Sequence, residues 1–161
     1  GEAGHQDAIM RTDSVVSTIQ KEGIILEKLS YQFANWNRGQ AENKMTQLIN
    51  RYGTDIELVI SNNDEMALGA AAAYDALGYP QDSRPVILGI DGLDSALEAV
   101  KKGYIQGTVY NDKEGQADRI SGLALDLFRG KVLPDSDFEN GRYIFLPYHK
   151  VTADNVDEFL K

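Results

Sequence analysis

The 161-residue chain contains no cysteine. That absence excludes a disulfide framework, a zinc–thiolate centre, a cysteine nucleophile and thiol redox chemistry, and it fits an oxidising or extracytoplasmic compartment without requiring one. Cationic side chains are the next shortage. Sixteen Lys and Arg face 25 Asp and Glu, a formal net charge of −9 with both histidines neutral, and this balance repels nucleic acid. Tryptophan occurs once and histidine twice, so indole or imidazole chemistry has to come from Trp36, His5 or His149. No run approaches the roughly 18 apolar residues that span a bilayer; the most apolar window, residues 67–73, is far too short. Residues 1–5 have neither the basic nor the apolar region of a secretion signal, so localisation has to be argued from elsewhere.

The remaining composition, 42% hydrophobic and 25% charged, is the mix of a packed globular domain, and the length suits one domain or one lobe of a larger protein. Apolar positions Met10, Val15, Val16 and Ile19 predict a helix over 7–22, closed by Gly23. Residues 24–33 mix β-branched, aliphatic and aromatic side chains and predict a strand. Ala41, Met45, Leu48, Ile49 and Tyr52 give a second helical face, ended by Gly53. A short apolar strand at 56–60 runs into Ser61-Asn62-Asn63-Asp64, whose side chains can cap the alanine-rich helix that follows to Leu77. The unit then repeats: strand 86–90 into Asp91, helix 94–102, strand 107–110 into Asn111, helix to Phe128. Beyond a polar loop marked by Gly130, Pro134 and Gly141, residues 143–148 read as a strand, with Pro147 suggesting an edge, and 155–160 as a terminal helix. Strand and helix alternate and the strands are nearly continuous in apolar residues. An α/β architecture is expected, with a parallel sheet flanked by helices and right-handed crossovers.

In open α/β sheets ligands bind outside the carboxyl ends of the strands. Three runs end alike there: 58–60 in Ser61-Asn62-Asn63-Asp64, 86–90 in Asp91, and 108–110 in Asn111-Asp112. Each of these serves equally well as a cap or turn residue. Together they set acceptors and donor–acceptors along one edge, which suits a ligand presenting many hydroxyls. At the first helix His5, Asp7 and Arg11 could face one cleft, with an Asp7–Arg11 surface ion pair as the structural alternative. Trp36 stands among Asn35, Asn37 and Arg38, a polar setting in which its ring either packs half-buried or stacks on the C–H face of a pyranose.

These residues carry a resemblance. Gly1-Glu2-Ala3-Gly4-His5-Gln6-Asp7 with Arg11, Trp36 followed by Gln40-Ala41 and Lys44-Met45, and the runs 60–70, 89–91 and 107–112 resemble the galactose/glucose-binding proteins of sugar ABC transport over nearly the whole chain. The pattern Asn-Asn-Asp-x-Met-Ala-x-Gly-Ala resembles the wider superfamily of ribose-type binding proteins and sugar repressors. The resemblance implies the periplasmic binding protein type I fold, two lobes joined by three crossovers, of which this chain is similar to the C-terminal half. Residues 1–111 would form the C-terminal lobe with its first strand missing. Residues 112–147 would belong to the N-terminal lobe, and 148–161 would return. It implies that His5, Asp7, Arg11, Trp36, Asn63, Asp91 and Asn111 line a sugar site. Gln6 stands where proline is common, Asn37 where Asp can occur, and Gly92 follows Asp91; none removes a ligand-contacting side-chain type. The family also holds calcium on a D-x-[DN]-x-[DN]-G loop completed by a later Glu. Glu57 matches that Glu, but the loop is not in this sequence, and calcium takes about six to eight oxygens.

The implied function is a non-catalytic, extracytoplasmic receptor, periplasmic or a cell-surface lipoprotein, for D-glucose or D-galactose. It would close by hinge motion and present the sugar to a membrane permease of an ABC importer or to a chemoreceptor. Its partners would include the N-terminal half, in the same protein or as a second chain. The effector-binding domain of a sugar-responsive transcription repressor shares the superfamily fold and is the alternative. An acid–base hydrolase built on Asp7, Asp91 and His5 would lack a G-x-S-x-G nucleophile elbow and a cysteine.

Overall fold

Short apolar strands joined by capped helices pair, in the computed structural model, into a four-stranded sheet of order β1-β2-β3-β4. Residues 1–134 and 138–160 are described. The elements are α1 (Gln6–Lys21), α2 (Arg38–Tyr52), β1 (Leu58–Ile60), α3 (Asp64–Ala76), β2 (Val86–Leu88), α4 (Asp94–Lys101), β3 (Gly107–Asn111), α5 (Lys113–Phe128) and β4 (Tyr148–Thr152), with single 3-10 turns at Gly53–Asp55, Gln81–Ser83 and Val156–Glu158. β1, β2 and β3 run parallel, with Leu58, Val59 and Ile60 opposite Val86, Ile87 and Leu88. β4 runs antiparallel to β3, from Gly107 opposite Thr152 to Asn111 opposite Tyr148. The sheet is therefore mixed, with the one antiparallel strand at its edge.

The core lies on one face. Ile87 and Val151 are fully buried and Tyr110 nearly so, in one cluster with Ala67, Ala70, Ala71, Ala73 and Tyr74 of α3, Leu97 and Val100 of α4, and Met45 and Ile49 of α2. Alanines thin α3 so that α2 can approach it closely. At Gly69 the approach is closest, because a Cβ there would lie 2.2 Å from the Arg38 carbonyl oxygen. On the alternate face of β2, Val86 stays 44% exposed, so the sheet is less covered there than apolar runs buried on both faces would imply.

Three expectations are corrected. Residues 24–33 form no strand. β1 pairs with β2 alone, so this segment has no ladder for its backbone groups, and β-rich composition without a partner does not make a strand. Ile25 is left 96% exposed. The last strand begins at Tyr148, where the 143–148 reading ended it; Pro147 has no N–H to give to a ladder. His149 therefore sits on β4. The terminal helix is the 3-10 turn Val156–Glu158. Of the expected crossing segments, positions 135–137 and 161 lie outside the described residues. α5 has no buried residue, and Ile120, Leu125, Leu127 and Phe128 are all exposed.

Candidate functional site

The carboxyl ends of β1, β2 and β3 lie side by side, and the residues that follow them meet the start of α1 and the turn before α2. After β1, Asn63 caps α3: its Oδ1 accepts from the Met66 N–H at 3.0 Å, while its Nδ2 donates to the Trp36 carbonyl at 3.5 Å. One carboxamide thus caps α3 and holds the Trp36 turn. Asn62 joins α1 to the sheet. Its Nδ2 donates to Thr12 Oγ1 at 2.9 Å, its Oδ1 accepts from the Gly1 nitrogen at 2.7 Å, and its carbonyl accepts from Arg11 Nη1 at 2.8 Å.

The same Arg11 nitrogen reaches Asp91 Oδ1 at 3.2 Å. Arg11 therefore pairs across the fold and not with Asp7, one turn back on its own helix. Asp7 and Arg11 line an open depression with Met10, Ser14 and Val15 of α1, Ile90 beyond β2, Val109 of β3 and Tyr148 of β4. Asp91 holds a positive φ of 123°, a backbone region that disfavours any side chain and is kept only where surroundings fix it. Its N–H donates to the Val109 carbonyl and its carbonyl accepts from the Asn111 N–H. Burial pushes its carboxyl above the ordinary aspartate value, and the Arg11 charge pulls against that; Asp64 and Asp7 add smaller upward pushes. Gly92, next in the chain, must be glycine, because a Cβ would lie 2.8 Å from the Tyr110 Cα.

Trp36 is half-buried with a left-handed φ of 61°, following Asn35 at 50°. The turn is closed by the Asn37 N–H on the Ala34 carbonyl, and Asn37 then caps α2 through the Gln40 N–H at 2.9 Å. His5 caps α1, its Nδ1 accepting from the Asp7 N–H at 3.2 Å, and meets the indole edge-on at 5.1 Å. Asn111 ends β3, its Oδ1 accepting from Gln116 Nε2. The structure therefore links His5, Trp36 and Asn63 in one string and Arg11, Asp91 and Asn111 in another, joined through the Asn62–Asn63 step, with Asp7 beside Arg11. Glu57 is elsewhere. It is exposed at the start of β1, the opposite end of the strand from this edge. No group of three His, Asp or Glu side chains is placed to hold a metal among the described residues, so Glu57 stands without the oxygens that a calcium ion needs.

Residue patterning did not single out Asn62, Thr12 or the buried pair Asp64 and Thr108, whose side chains are joined at 2.6 Å. The polar run 61–64 marks Asn62 and Asp64 as capping or edge residues, but not the contacts that they make.

A family model described as "Periplasmic binding protein domain" matches residues 1–131. The D-galactose/methyl-galactoside binding periplasmic protein MglB of Haemophilus influenzae is 37% identical over 164 residues, covering all of this chain and 48% of that protein. A xylitol-binding protein of Mycolicibacterium smegmatis is 33% identical over 82% of the chain and 35% of its own length. Among solved structures, an ABC transporter solute binding protein of Bacillus halodurans with bound myo-inositol superposes with a TM-score of 0.83 at 35% identity, covering 99% of this chain and 51% of its own. The chain spans about half the length of these relatives or less.

Proposed function

The chain belongs to the family of periplasmic binding protein domains, and from that premise we propose that its strand-end cluster is half of a sugar site in a receptor serving an ABC importer. D-galactose or D-glucose is the ligand we assign. The observation that carries the reading is the Arg11–Asp91 pair, 3.2 Å apart and partly open to solvent, at the same sheet edge as Trp36, Asn63 and Asn111. Asp91 would accept from ring hydroxyls and Arg11 would donate to them. The carboxamides of Asn63 and Asn111 do both, and the Trp36 ring would cover the C–H face. His5 and Asp7 complete the rim. Such a ring of polar groups returns the hydrogen bonds that a hexose loses on leaving water.

Several facts support a receptor over an enzyme or a repressor. The relatives' names describe binding and import of galactosides, xylitol and inositol, and binding needs no nucleophile. A second lobe would close over the sugar by hinge motion, with residues 112–147 belonging to that lobe and 148–161 returning to this one. The bare apolar surface of α5 supports the assignment. The location would be extracytoplasmic, the macromolecular partners a membrane permease or a chemoreceptor, and no nucleic acid is involved.

Trp36 is the sole tryptophan, so its fluorescence reports this site alone. Titration with D-galactose, D-glucose, myo-inositol and xylitol should give a saturable change with one of the hexoses at about millimolar concentration or below, a binding free energy of about 4 kcal/mol or more. No response to any of the four would overturn the site. A stronger response to myo-inositol or xylitol would overturn the hexose assignment.

A further inference from the structure

We propose that Asp64 is a positioning residue for this site, its buried carboxylate clamping the turn that carries Asp91 and so aiming the Asp91 acceptor at Arg11. The inference rests on the sugar-site reading and deepens it.

Asp64 opens α3 and is fully buried. The helix does not need its side chain as a cap, because Asn63 already fills that role. The carboxylate turns instead to the neighbouring loop. Its Oδ2 accepts from the Leu93 N–H at 2.8 Å and its Oδ1 from the Thr108 hydroxyl at 2.6 Å. Its own N–H donates to the Ile90 carbonyl at 2.7 Å. One residue therefore grips the chain on both sides of Asp91, at Ile90 before it and at Leu93 after it, and ties that turn to β3 through Thr108. Space is kept for the carboxylate, since a Cβ on Gly89 would lie 2.2 Å from Asp64 Oδ1.

This grip explains how Asp91 persists at a φ of 123°, a conformation that survives only where neighbours over-determine it. A buried carboxylate is a costly way to fill space, and an apolar side chain of similar size would pack as well. Its two hydrogen bonds run to the turn after Asp91 and to the strand beside it, which points to orientation of Asp91 as its purpose.

The test is a double-mutant cycle on sugar affinity, read by Trp36 fluorescence in the full chain. Asp64→Ala should weaken hexose binding by about tenfold or more, the worth of a charge-assisted hydrogen bond. Asp64→Asn, which keeps an acceptor for the Leu93 amide and can donate to Thr108, should restore most of the loss. In an Asp91→Ala background Asp64→Ala should cost nothing further. An equal loss in both backgrounds, or unchanged affinity, would overturn the proposal. If Asp64→Ala does not fold, Thr108→Val is carried through the same cycle with the same two outcomes. If the wild-type chain binds no hexose, the sugar reading falls, and the clamp is judged by hydrogen exchange at the Leu93 amide. Faster exchange at Leu93 in Asp64→Ala, or in Thr108→Val where Asp64→Ala does not fold, with core amides unchanged, supports it; unaltered exchange at Leu93 overturns it.

Discussion

At the scale of single residues, the site turns on a carboxylate under two opposed pressures. Burial disfavours the charged form of Asp91, and Arg11 from α1 favours it, while Asp64 from α3 and Asp7 from α1 push the same way as burial. The net shift is upward. A folded-state value above the unfolded one means that the native state holds its proton longer, so stability owed to this group is present at low pH and lost as pH rises through the raised value. Sugar binding at the proposed site would run the other way, because there a hydroxyl would donate to the carboxylate. Affinity should therefore fall as pH drops through a midpoint above that of an ordinary aspartate. Arg11→Gln removes the opposing charge and should move the midpoint further up while weakening affinity. Titrations of hexose binding across pH in the two proteins check this, and a midpoint at or below the ordinary value, or one indifferent to Arg11, would contradict it.

At the scale of elements, close packing between α2 and α3 sets where the Trp36 turn meets Asn63. Gly69 sits at that contact, and an added methyl would strike the Arg38 carbonyl, which is backbone and cannot swing away. Gly69→Ala gains about 1 kcal/mol of helix propensity. Overpacking of a tight core costs about 1–3 kcal/mol, and a contact of 2.2 Å against backbone belongs at the upper end. A net loss of about 1–2 kcal/mol is expected in urea melts; a stabilised variant would show that the helices are less closely packed than described. The helices were legible in the sequence because their caps and periodicity are local: Asn37, Asn63 and Asp112 each cap as side-chain chemistry requires. Residues 24–33 were misread because a strand is made by its neighbour, and composition does not say whether one is there. The antiparallel β4 was missed for a related reason, since strand direction follows from the connection and not from the side chains.

At the scale of the whole molecule, the proposed site draws on the start of α1, the turn before α2 and three strand ends, while α5 carries its apolar residues into solvent. The edge was legible because strand ends followed by Asn or Asp recur three times and the fold rule for open sheets does the rest. Asp64 and Thr108 were not legible, because a buried polar pair 44 positions apart has no local signature. The most direct measurement of the central claim is magnetisation transfer by NMR between the Trp36 indole protons and the C–H protons of D-galactose or D-glucose in the wild-type chain, repeated in Asp91→Ala. Transfer from Trp36 to one face of the pyranose, lost with the Asp91 carboxylate, is the expected result. A sugar that binds with no transfer from Trp36, or whose transfer is indifferent to Asp91, would contradict the site.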